Sequence, residues 1–201
     1  ALGGIAARVF RFSFSGELGF EVAVPARYGE KLAEAMMAAG KEYDITPYGT
    51  EALAVMRIEK GHVSGPEVNG QTTVGDLGMG RMASKKKDYI GRVMAERPGL
   101  VDEARMSYIG VKPLDKSRTL RAGTHLLPLG AKASVENDLG YLSSATFSPA
   151  LGHAIAVGFL KGGGKHIGEH LRAYDPLRGG DTEVEVCSPY FFDPEGDHLR
   201  V

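Results

Sequence analysis

The sequence predicts an α+β fold, with β-hairpins and two or three helices over residues 1–100 and a small antiparallel β-barrel over 101–201. Three observations predict it. Apolar residues alternate with polar ones from Phe10 to Val24, the period of a half-buried strand. The periodicity then changes to helical spacing through Ala26–Ala39 and Thr50–Gly61. Beyond Pro98 and Gly99, six short apolar runs recur with glycine or proline between them, as in a barrel.

In the first element, RFSFSGELGFEVAVP, Phe10, Phe12 and Phe14 alternate with Arg11, Ser13 and Ser15, and Phe20, Val22 and Val24 alternate with Glu21 and Ala23. Gly16 and Gly19 supply the turn, since glycine reaches positive φ without a Cβ clash. Glu21 is the odd residue. A carboxylate in an aromatic-flanked strand either points to solvent or faces a cavity where it accepts paired N–H donors. The strand begins almost at Ala1, which suggests that further strands of the same sheet lie upstream.

Ala26–Ala39 sets Tyr28, Leu32, Ala35, Met36 and Ala39 against Arg27, Glu30, Lys31 and Glu34, an amphipathic helix with Gly40 as its stop. Thr50 can cap a second helix carrying Leu53, Val55, Met56 and Ile58 and ending at Gly61. Arg57 within it either snorkels, pairs with an acid or binds a ligand. From His62 to Arg81 the glycine-rich sequence reads as a long loop. Its GDLGMG lacks both a preceding strand and the GxGxxG spacing of a dinucleotide site. Lys85, Lys86 and Lys87 read as a solvated loop able to attract an anionic tail, and Tyr89, Ile90 and Val93 as a short helix anchored in the core.

The barrel strands are expected at Met106–Val111, Thr124–Leu127, Leu139–Leu142, Ile155–Leu160, His170–Ala173 and Glu183–Val186, with a hairpin tip at Gly162–Gly164. His166–His170 fits H-x-x-E-H, which binds zinc only when both histidines share a helix face. The glycines before and within it argue against a helix, and no metal is expected. Cys187 reads as a small hydrophobe in a strand.

Composition excludes several classes. A formal net charge of −1, from 24 Lys plus Arg and 25 Asp plus Glu, gives no case for nucleic acid or an anionic membrane. A single cysteine excludes a disulfide framework within the chain, and no apolar run approaches the ~20 residues of a membrane helix. A cytoplasmic setting fits. The 28 glycines favour turn-rich β structure.

The order Arg11, Ser13, Phe14, Ser15, Gly16, Glu17, Gly19, Phe20, Glu21 resembles the central motif of the aminomethyltransferase (glycine cleavage T-protein) family. GTEALAVMRIEKGH (Gly49 to His62), KKKDYIGR (Lys85 to Arg92) and GYLSSATFSPALGHAIAVGFL (Gly140 to Leu160) are similar to further stretches of that family. The ending SPYFFDPEG resembles the C-terminus of the α subunits of heterotetrameric sarcosine oxidases. The resemblance implies a partial cloverleaf, here the second half of the folate-binding region over 1–100, followed by the barrel over 101–201. It implies tetrahydrofolate as ligand, with Glu21 matching the pterin-contacting acid, Arg57 an arginine near the folate, and Phe14 standing where many relatives carry tyrosine. The acid of the family's catalytic site belongs to an upstream half of the polypeptide, so the isolated chain is expected to be inactive. FAD, FMN and NAD are expected only in the rest of such a complex, with the other sarcosine oxidase subunits as partners. A glycine-cleavage aminomethyltransferase fragment, or a non-catalytic module for folate binding or subunit assembly, is the alternative.

Overall fold

A computed structural model of the chain describes residues 4–200. They form two compact units, one of residues 4–56 with 195–200 and one of Arg57–Pro194.

In the first unit, β1 (Arg8–Arg11) pairs antiparallel with β2 (Phe20–Ala23). Both strands are shorter than the alternation predicts, and Phe12 and Phe14 fall in the connection. The reason is local: the Phe12 amide donates to the Gly19 carbonyl at 3.1 Å, after which the Ser13 and Ser15 hydroxyls accept from the Gly16 and Glu17 amides and curl the chain. The expected buried face is not observed either. Phe10 is 50% and Phe20 59% exposed, because a two-stranded ribbon has two faces and no layer within this unit covers them.

Residues 195–200 close on the hairpin. Arg11 donates to the Leu199 carbonyl at 2.6 Å, Leu18 N–H donates to the His198 carbonyl at 3.1 Å, and His198 meets Glu17 at 2.9 Å. Helix α1 (Gly29–Gly40) follows a 3-10 turn at Ala26–Tyr28, and none of its residues is fully buried. Gly40 is not a left-handed stop. Its φ is −80°, and a Cβ there would lie 2.5 Å from Ile45, so the position needs space rather than an unusual dihedral. The left-handed residue is Asp44, after one further 3-10 turn.

Helix α2 (Thr50–Glu59) contains the division between the units. Gly61 ends it as expected, at φ +74°, with its amide on the Ile58 carbonyl at 3.0 Å. A Cβ on Gly61 would sit 2.4 Å from the Pro189 carbonyl oxygen, so the SPYFFD segment packs directly over this turn. The Phe191 and Phe192 amides donate to the Glu59 carbonyl at 3.0 and 2.9 Å, and Lys60 meets Asp193 at 2.8 Å.

Residues 62–105 carry no strand and one short α-helix, α3 (Arg92–Ala95), besides 3-10 turns at Gly80–Met82 and Pro98–Leu100. Ile90 and Val93 are exposed rather than core anchors, because a four-residue helix makes one turn and has no apolar stripe to bury. The GDLGMG loop is fixed to the start of the barrel. Asp76 takes Arg105 at 2.6 and 3.1 Å and the Thr73 amide at 2.9 Å, while its carbonyl accepts from Tyr108 N–H at 2.7 Å.

The barrel closes from six strands, β3 (Met106–Pro113), β4 (His125–Pro128), β5 (Gly140–Ser148), β6 (His153–Lys161), β7 (His170–Asp175) and β8 (Gly180–Cys187), in the order β3-β6-β5-β4-β7-β8 with β8 returning to β3. All pairings are antiparallel. Closure removes sheet edges. The interior holds Ile109, Val111, Leu126, Leu142, Leu160, Leu171, Val184 and Val186. Strand β6 is buried on both faces, which explains its unbroken apolar run: Ala154, Ala156 and Leu160 point inward, while Ile155, Val157 and Phe159 join Ile58, Leu77 and Tyr108 outside.

Gly162–Gly164 is no hairpin tip. Its 3-10 turn joins β6 to β7, which are not neighbours in the barrel. Gly152, in the β5–β6 turn, has φ +72° with open space where a Cβ would go. Gly152→Ala is expected to cost about 1–2 kcal/mol through left-handed strain alone, with Gly152→Asn recovering part of it. Urea unfolding measures both, and equal stability of the alanine variant would show that the turn relaxes.

Candidate functional site

The register of the hairpin decides what surrounds Glu21. Phe10 lies directly opposite Glu21, so the two share one face of the ribbon, while Val9, Arg11, Phe20 and Val22 take the other. The apolar sets of the two strands therefore fall on opposite faces. Glu21 is exposed, and among the described residues its carboxylate makes no hydrogen bond or ion pair. The result is a carboxylate with all acceptor positions available, next to an aromatic ring that is half exposed. Such a pair can accept two parallel N–H groups at one edge of a flat heterocycle and contact its face. Phe14 is half-buried in the same unit, within the serine-held turn.

Arg57 lies in the other unit, and its surroundings differ from those of an open ligand site. It is 6% exposed. One terminal nitrogen donates to Glu67 Oε2 at 3.0 Å and to the His62 carbonyl at 3.3 Å, and the other donates to Ser144 Oγ at 2.6 Å. Glu67, fully buried, accepts on Oε2 also from the Ser64 amide at 2.9 Å and the Ser64 hydroxyl at 3.3 Å. Its Oε1 accepts from Ser143 Oγ at 2.6 Å and Ser144 Oγ at 2.7 Å.

Two successive strand residues normally point to opposite faces. Ser143 and Ser144 both reach one carboxylate because β5 has a bulge there: Leu142 pairs with Gly158 and Ser144 with Val157, leaving Ser143 as the extra residue. Nearby, the Ser148 hydroxyl donates to the Glu59 carboxylate. Sequence reasoning missed Glu67, Ser143 and Ser144. The bulge leaves no local mark, and Glu67 meets its partners across 76 and 77 residues of chain.

Burial pushes the Glu67 carboxyl up, and the hydrogen bonds from Ser143, Ser144 and the Ser64 amide, with the Arg57 charge, outweigh it and hold the group below its ordinary 4.5. A carboxyl depressed in the folded state stabilises fully above its unfolded value and loses that contribution as pH falls through the folded one. The wild type is thus expected to lose more stability than Glu67→Gln between about pH 5 and pH 3. Melting temperatures across that range check this, and parallel curves would remove Glu67 from the acid response.

Tyr108, on β3, has a buried hydroxyl with no hydrogen-bond partner among the described residues, and burial raises its pKa. Cys187 is partly buried, and burial pushes its thiol up to about 12, so it stays protonated at neutral pH. His166 bonds Glu169 at 2.8 Å at the end of a 3-10 turn, and His170 begins β7, so the two histidines of HIGEH share no helix face. Lys85, Lys86 and Lys87 are exposed. No helix among the described residues is long and apolar enough to cross a membrane.

Comparison with known proteins bears on the same segments. The family model "GCVT N-terminal domain" matches residues 1–87, and "Glycine cleavage T-protein C-terminal barrel domain" matches 107–193. The chain is 46% identical to the sarcosine oxidase subunit alpha of Rhizobium meliloti over 96% of its own length and 20% of that protein's. It is 42% identical to the subunit alpha of Corynebacterium sp. strain U-96 over the same shares. It is also 32% identical to the aminomethyltransferase of Cutibacterium acnes, covering 95% of this chain and 49% of that one. The crystal structure of aminomethyltransferase T of the glycine cleavage system from Bartonella henselae matches with a TM-score of 0.71 at 24% identity, over 92% of this chain and 50% of that one. That likeness shows the fold. The chain thus spans about a fifth of the sarcosine oxidase relatives and about half of the aminomethyltransferases. With both family models matched in order, and the hairpin, helices and six-stranded barrel in place, the chain belongs to the aminomethyltransferase (glycine cleavage T-protein) family.

Proposed function

We propose that this chain is the tetrahydrofolate-binding part of a sarcosine oxidase α subunit, where the one-carbon unit released by N-demethylation of sarcosine is captured as 5,10-methylenetetrahydrofolate. The observation that carries the reading is the exposed, unpartnered carboxylate of Glu21 beside Phe10 on one ribbon face. A pterin edge offers an N–H and an amino group side by side, which one carboxylate accepts together. The similarity to two sarcosine oxidase α subunits over 96% of this chain supports the choice within the family.

In this reading residues 1–100 serve folate binding and 101–201 form the barrel domain. The family models that end at 87 and begin at 107 leave room for that division. Glu21 fixes the pterin edge, Phe14 adds apolar contact, and Arg57 meets the folate's carboxylates or acts through Glu67. The protein's contribution is orientation, which makes capture of the one-carbon unit effectively intramolecular. An upstream half of the polypeptide supplies the catalytic acid and covers the exposed ribbon faces. FAD, FMN and NAD belong to the remainder of the complex, in a cytoplasmic setting.

Calorimetric titration with 5-formyltetrahydrofolate tests the reading, on the full polypeptide and on these 201 residues. Saturable binding to the full polypeptide is expected. A folded full protein that binds no reduced folate would retire the proposal. The aminomethyltransferase reading is favoured by the 32% identity over nearly the whole chain. An upstream dinucleotide-binding domain in the gene decides against it, and a gene of about twice this length without one decides for it.

A further inference from the structure

One end of the barrel carries a polar cavity that the folate reading does not use. It has a volume of about 300 Å3 and lies between the β3–β4 connection, the end of β7 and the start of β8. Three arginines line it: Arg118 and Arg121 from the connection and Arg178 from the β7–β8 turn. The hydroxyl residues Ser117, Thr119, Thr124 and Thr182 also line it. Asp175 is the only carboxylate on the wall, and it accepts from the Leu177 and Arg178 amides and from one Arg178 nitrogen at 3.2 Å.

Arg178 is paired with Asp175 at 3.2 Å, and the Arg118 charge is felt by Asp181 and Asp115, so the unmatched cation on the wall is Arg121. Asp181, next in the chain to a wall residue, is held from outside the cavity by Arg172 through three contacts of 2.7 to 2.9 Å, and Asp115 is occupied by the Ser117 amide and hydroxyl. Arg118 spends one N–H on the Asp181 carbonyl at 2.9 Å. The Arg121 side chain is exposed and makes no hydrogen bond or ion pair among the described residues. A guanidinium carries five donors in a planar fork, so Arg118 and Arg178 keep donors beyond those already bonded and Arg121 keeps all five for a ligand.

The geometry points to a binding site for a phosphoryl group, carried by a small phosphate monoester, at this end of the barrel. Guanidinium forks and hydroxyls together match the several acceptor oxygens of a tetrahedral dianion. The cavity is of the size that encloses a small ligand and has room beyond the phosphate itself.

Titration of the full polypeptide with inorganic phosphate and with ribose 5-phosphate, against sodium chloride at matched ionic strength, tests the site by calorimetry and thermal shift. Saturable binding is expected, tighter for the ester, weakened at least about tenfold in Arg121→Gln and unchanged in Glu21→Gln. The Arg121 side chain has no hydrogen bond or ion pair among the described residues to lose, so the variant is expected to keep its fold, and its melting temperature without phosphate verifies that. An ester that binds no more tightly than inorganic phosphate assigns the site to the free anion. Effects no larger than those of chloride, or untouched by Arg121→Gln, overturn the proposal whatever the outcome of the folate titration.

Discussion

Arg57→Met is expected to destabilise the unit Arg57–Pro194 by about 3–5 kcal/mol, the range for removing one partner of a buried ion pair. Glu67 is the reason. It stays fully buried, so losing the guanidinium leaves a charge that water does not reach, and Ser144 loses its strongest donor at 2.6 Å. The double variant Arg57→Met, Glu67→Leu is expected to recover most of the loss, because two apolar side chains carry no desolvation cost. Urea unfolding followed by circular dichroism reads both. A single-variant loss below about 1 kcal/mol would mean that the pair is hydrated in solution.

The same substitution separates the two roles open to Arg57. An arginine that grips the glutamyl carboxylates affects polyglutamylated folate more than a folate without its tail, once stability is matched by temperature. An arginine that acts only through Glu67 weakens both ligands equally.

Glu21→Gln is expected to weaken reduced-folate binding about 10- to 150-fold, the equivalent of about 1.5–3 kcal/mol for hydrogen bonds to a charged group. Glutamine keeps one acceptor oxygen and turns an amino group toward the donors of the pterin. Stability is expected to stay within about 0.5 kcal/mol, since Glu21 is exposed and has no partner to lose. Unchanged affinity in the variant would take Glu21 out of the site.

All six barrel strands were legible in the sequence as short segments between glycine or proline, although the expected Leu139–Leu142 reaches only the start of β5, whose serine-rich second half, beyond the bulge, carries little apolar pattern. Which strands pair was not, since closing the expected barrel joins Gly110 of β3 to Cys187 of β8, far apart in the chain. The hairpin shows the limit of alternation. Alternation identifies which residues share a face within each strand, but only the register tells that Phe10, and not Val9 or Arg11 of the other strand, stands beside Glu21. Alternation also left open what would cover the ribbon. Phe10 and Phe20 are patterned for burial and are exposed here, because burial needs a second layer that a period cannot specify.

The sequence by itself determined the α+β class, the family and the approximate positions of the barrel strands, which depend on residue type and spacing and on motif resemblance. The tertiary structure alone decided which side chains meet. Arg57 finds Glu67, and Glu67 finds Ser143 and Ser144 through a bulge on β5. Three arginines gather at one end of the barrel from two separate segments. Contacts of this kind are set by register and chain closure, which bring together groups far apart in sequence, and neither leaves a periodic signature in the chain.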